Sequence, residues 1–156
     1  MSLQRFHQAQ ASRHGGYETA LTEMCRGRKT SHWIWYIFPQ LAGLGQSHSA
    51  QTYALKDLDE ACDYLRDPLL RARYEGIVDA IATQLTNDQS LENLMGGELD
   101  AKKLVSSLTL FQAAAWRLAS EDPDCATLSQ RLAALLDQTT AHGYPPCAFT
   151  LGQIKG

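Results

Sequence analysis

The chain has two valines against twenty-two leucines. A supply so short of valine and so rich in leucine and alanine argues against a sheet and for helices. The four cysteines, Cys25, Cys62, Cys125 and Cys147, include no Cys-x-x-Cys pair, and no histidines stand at zinc spacing, so a structural metal centre is not expected and the thiols read as reduced. Charge of one sign is lacking too. A formal charge of -3 and a pI near 5.9 give no overall attraction for a nucleic acid polymer or an anionic membrane, and any anion must be held by a local patch. No window approaches the ~18 apolar residues of a membrane span. The first apolar stretch is broken by Gln4, Arg5 and His7, unlike the core of a signal peptide. A cytoplasmic protein without membrane contact is therefore expected. No cofactor motif is present, and the glycine spacing of a Walker loop is missing.

What is present is helical periodicity over 156 residues, 44% of them hydrophobic, enough for one domain with a sizeable core. Leu3, Phe6 and Gln10 suggest an opening helix broken at Gly15-Gly16. Tyr17, Ala20, Leu21, Met24 and Cys25 form an apolar stripe that Gly27 ends. The apolar run Trp33 to Phe38 reads as a buried helix, N-capped by Ser31 and stopped by Pro39. Further pieces follow at Ser49 to Leu55, from a capping-box-like Asp57 and Glu60, and from Asp67-Pro68, with a short turn at Leu91 to Met95. From about 100 to 119 nearly the whole circumference is apolar, the pattern of a central helix surrounded by others. Asp124 reads as the cap of the last helix. The expectation is an all-α, compact single-domain bundle of about seven or eight helices around this central one, with a helical core over about 3–138 and an irregular tail over 139–156 that contains Pro145-Pro146.

Chemistry concentrates between Arg26 and Leu44. Gly27-Arg28-Lys29-Thr30-Ser31 ahead of a helix would bring backbone N–H groups and two cations to one point, which suits a phosphate or carboxylate. Arg28, Lys29 and Ser31 are the expected anion ligands. Trp33 or Trp35 would offer a stacking face, and Gln40 closes the segment. His32 is the expected catalytic group, because an imidazole with a reference pKa of ~6.5 can act as general acid or base. At helical spacing 33 and 36 lie on one side and 35 and 38 roughly opposite, so one side should be core and the other a cleft. Lys103, Ser106 and Ser107 sit within a turn of one another on the central helix and complete the expected ligand set; serines bonded to the preceding turn are the plainer reading. Cys147 and His142 flank the Pro-Pro bend, a weaker nucleophile pairing.

The run from Gly27 to Gly45 closely resembles the signature of the domain-of-unknown-function family 1810. Tyr53-Ala54-Leu55, Leu58-Asp59-Glu60-Ala61 through Tyr64-Leu65, Pro68-Leu69, and Lys103 with Ser106-Ser107-Leu108-Thr109-Leu110-Phe111 extend the resemblance. It covers roughly Leu3 to Leu136 and implies the compact multihelical fold of small bacterial proteins. It implies no reaction. The label calpastatin-like, attached to some members, would imply a protease inhibitor. Calpastatin inhibits as a disordered chain, whereas the periodicity here is that of a folded core. The expected function is binding of a small anionic or nucleotide-like ligand at the Arg28–Gln40 segment against the central helix. The alternative is a protein-interaction module, of unknown partner and without catalysis, that uses the aromatic run as its surface.

Overall fold

The computed structural model describes residues 3–154. In chain order the helices are α1 (Gln4–Gln10), α2 (Tyr17–Arg26), α3 (Ile34–Ile37), α4 (His48–Thr52), α5 (Leu58–Arg66), α6 (Pro68–Thr86), α7 (Leu91–Met95), α8 (Glu98–Leu118), α9 (Pro123–Ala141) and α10 (Ala148–Ile154). The fold is all-α. Among the described residues the only strand-like pairing outside the helices is an isolated parallel bridge between Leu41 and Leu55. The ten helices exceed the seven or eight expected, because single turns such as α3, α4 and α7 stand as separate elements and because the tail adds α10.

α8 is the central helix. Twelve of its 21 residues are buried, too many for one stripe, and it packs against α3, α5, α7, α9 and α10. Beside it lies an aromatic cluster: the rings of Tyr74 and Phe111 stand 4.5 Å apart, those of Tyr64 and Phe111 5.1 Å, and those of Phe6 and Tyr64 5.2 Å. Tilted and edge-on contacts of this kind add to plain burial.

Helix starts follow from side-chain caps. Ser47, Asp57, Asp67 and Ser90 each accept a hydrogen bond from the first turn of the helix that follows. Glu60 reaches back to the Lys56 N–H at 2.8 Å, one residue beyond a standard capping box. Gly27 ends α2 with φ 95°, in the left-handed region where a side chain is strained.

Three boundaries correct the sequence reading. Ser31 caps nothing: α3 begins at Ile34, with Trp33 as an N-cap whose side chain makes no capping bond, because Ser31 is engaged elsewhere. α9 begins at Pro123 under an Asp122 cap rather than at Asp124, since proline's fixed φ suits the first helical position. The tail is not irregular throughout: α9 continues to Ala141, and α10 closes the described chain. α10 has no apolar stripe to reveal it, for its buried residue is Thr150.

Candidate functional site

The segment between α2 and α3 is organised around an anion that the chain itself supplies. Glu23, on the last turn of α2, is only 8% exposed. Its Oε1 accepts hydrogen bonds from the backbone N–H groups of Thr30 at 2.7 Å and Ser31 at 3.0 Å and from the Trp33 indole at 3.0 Å. Its Oε2 accepts the Ser31 hydroxyl at 2.5 Å. Burial pushes this carboxyl up, but the bonds from Ser31, Thr30 and Trp33 outweigh it and hold the pKa at about 2. The expected convergence of N–H groups on a negative charge therefore exists, and Glu23 occupies it. A sign of this lay in the sequence: Glu23 falls three residues after Ala20, just beside the apolar stripe of its helix.

Lys29 is committed as well. It is 8% exposed, and its Nζ lies 2.7 Å from Asp100 of α8, 2.6 Å from the Ser31 carbonyl and 4.9 Å from the centre of the Trp33 ring. Asp100 also faces Lys103 at 3.4 Å, and the Lys103 ammonium sits 4.5 Å over the Trp35 ring. Two lysines and two tryptophans thus alternate around one carboxylate, stitching residues 29–35 to the start of α8. Trp35 is half-buried and Trp33 fully buried, so Trp33 is a core residue and not a stacking face.

The remaining expected ligands disperse. Arg28 and His32 are exposed; the His32 carbonyl accepts the Tyr36 hydroxyl at 3.1 Å, while its imidazole makes no hydrogen bond among the described residues. Gln40 is buried and its Nε2 has no hydrogen-bond partner. Ser107 is enclosed against the Tyr74 hydroxyl at 3.0 Å. The Ser106 hydroxyl donates to the Lys102 carbonyl at 3.1 Å, one turn earlier.

Ser106 also lines the largest of three clefts, a volume of about 750 Å³ between α8 and the turn that follows α9. Leu44, Val105, Pro145 and Pro146 supply apolar wall, and Lys102, His142 and Cys147 reach it from either side. None of the three clefts is lined by Arg28, His32, Trp33 or Trp35. The turn is fastened at both ends. The Tyr144 hydroxyl donates to Glu92, and this bond drives the tyrosine pKa up to about 12; the Cys147 N–H donates to Thr109 Oγ1 of α8 at 3.0 Å. Burial pushes the Cys147 thiol up, but the polar groups of the neighbouring Ser106, Thr150 and Phe149 outweigh it and lower its pKa. Burial raises Cys62 and Cys125 instead. No helix among the described residues is long and apolar enough to cross a membrane.

No match to a curated protein was found. The crystal structure of a conserved hypothetical protein, Rv1873 from Mycobacterium tuberculosis, is similar in fold, with a TM-score of 0.81 and 32% identity over 99% of this chain and 96% of that one. The likeness reaches past α9 into the tail. The family model described as protein of unknown function (DUF1810) matches residues 1–141, and the chain belongs to that family.

Proposed function

We propose that the protein binds a small molecule with an apolar body and a polar end in the cleft between α8 and residues 142–148. The cleft itself carries this reading: about 750 Å³ lies within the range of small-ligand sites, which are mostly apolar with a few placed polar groups. The apolar wall would take the body, and Ser106 and Lys102 stand where a polar or anionic end would meet them. This reading puts the ligand along the central helix, on the side that faces the tail rather than beside residues 28–40.

A second reading keeps the anionic, nucleotide-like ligand on the Arg28–Gln40 side. Two observations favour it: Lys103 is stacked on the half-buried Trp35, a pairing that suits a base and its phosphate, and Gln40 of the same segment has an unused donor. The interaction-module reading has less to stand on there, because Trp33 and Phe38 are fully buried.

One experiment separates the two ligand readings. Thermal unfolding of the full chain is followed with 8-anilinonaphthalene-1-sulfonate, an apolar body with an anionic end, and with ADP, because a ligand that binds only the native state raises its melting temperature. The cleft reading expects a dose-dependent rise with the sulfonate that Ala148→Phe abolishes and Lys103→Gln leaves in place. A rise with ADP alone, lost in Lys103→Gln, would transfer the site to Trp35. No rise with either probe at millimolar concentration overturns both.

A further inference from the structure

The cleft between α8 and residues 142–148 has committed its donors and kept its acceptors. Along the turn, the N–H groups of His142, Gly143 and Tyr144 go back to carbonyls of the last turn of α9, the Cys147 N–H goes to Thr109, and Pro145 and Pro146 have none. The carbonyls of residues 142–146 accept no hydrogen bond among the described residues. The side chains follow the same pattern. The Ser106 hydroxyl proton goes to the Lys102 carbonyl at 3.1 Å, the Tyr144 hydroxyl to Glu92, and the Lys102 ammonium to Glu98 at 2.8 Å.

Charge points the same way. The lining carries two carboxylates, Glu92 and Glu98, against one ammonium, Lys102, and a histidine, His142. Lys102 is matched to Glu98, so the charge left over is that of Glu92, which has no ion pair among the described residues. Its Oε1 takes the Tyr144 hydroxyl, and its Oε2 takes no hydrogen bond among them. Tyr144 is buried, and its bond holds this carboxylate against the cleft wall.

We infer that the ligand of this cleft is an amphipathic cation, an apolar ring system that carries a primary ammonium group. Resting on the small-molecule reading above, this fixes the sign of the polar end. An ammonium has three donors and no acceptor, so the free carbonyls of the turn and the Glu92 carboxylate replace the water it loses on entering apolar surroundings. A ligand carboxylate meets the opposite: Lys102 already holds Glu98, and the main-chain donors of the turn are used. A sulfonate probe engages the apolar wall alone; an ammonium of like size engages the wall and the acceptors.

The test is a set of dissociation constants for the full chain at pH 7.5 and low salt, from isothermal titration calorimetry, with 1-naphthylmethylammonium, 1-naphthylmethanol and 1-naphthoate, which share one ring system. The ammonium should bind about fivefold more tightly than the alcohol, the gain expected of an exposed carboxylate, and the naphthoate least tightly. Glu92→Gln keeps an oxygen for the Tyr144 hydroxyl and should remove the ammonium's advantage while the alcohol binds as before. Glu98→Gln frees Lys102 and should tighten the naphthoate about fivefold. Equal binding of all three ligands, or an ammonium preference that Glu92→Gln leaves unchanged, overturns the cationic assignment while the cleft stands as a binding site. If none of the three binds, the cationic assignment falls, and the sulfonate result above decides whether the cleft falls with it.

Discussion

A buried carboxylate with four donors on it stabilises the fold in a pH-dependent way. The Glu23 pKa lies at about 2 in the native state against an ordinary 4.5, so its contribution is complete above the ordinary value and is lost as pH falls from there through about 2. The difference corresponds to roughly 3 kcal/mol. Glu23→Gln should remove much of this and flatten the acid limb of a plot of urea-unfolding stability against pH between about 5 and 2. A variant whose acid limb keeps the wild-type slope would place the stabilising carboxylate elsewhere. An anion-binding arrangement was legible in the residue types at 27–31, and the Thr30 and Ser31 N–H groups and the Ser31 hydroxyl do meet an anion. What a linear sequence does not display is which anion arrives. A carboxylate on the preceding helix fills the place of a ligand, and only folding α2 back on residues 30–33 reveals it.

The long helices were legible for a simple reason: α6 and α8 bury leucines, isoleucines and aromatics at helical spacing. The short elements were less so. α3 starts late because the hydrogen bonds to Glu23 hold residues 30–33 out of helical conformation, and α10 lacks an apolar stripe because a threonine is what it buries. The tail is held by polar ties instead. Thr109 Oγ1 donates to the Val105 carbonyl at 2.7 Å and accepts the Cys147 N–H at 3.0 Å, so one hydroxyl joins α8 to the turn that walls the cleft. Thr109→Val keeps the volume and removes both bonds. Hydrogen exchange should then quicken across residues 144–150 while the centre of α8 stays protected, with a loss of about 1 kcal/mol in overall stability. Unchanged exchange in the turn would show that Tyr144 and Glu92 suffice to hold it.

At the scale of the whole molecule, α8 touches five other helices and shares most of its surface with them. An element so placed couples its neighbours, and unfolding should be cooperative, with tryptophan fluorescence and far-UV circular dichroism reporting one coincident transition. Leu108→Ala, at a fully buried position of α8, should cost about 2–5 kcal/mol and shift both signals together. Separation of the two signals would mean that part of the chain folds independently of the central helix. The Glu23 arrangement matters at this scale too. Because the donors that Ser31 and Trp33 turn toward Glu23 are committed inside the chain, substitutions of these residues should lower how much folded protein a cell maintains. In a genetic scan, the stretch that looks most like a ligand site would be the one whose variants vanish from the soluble fraction while every surviving molecule keeps its cleft intact.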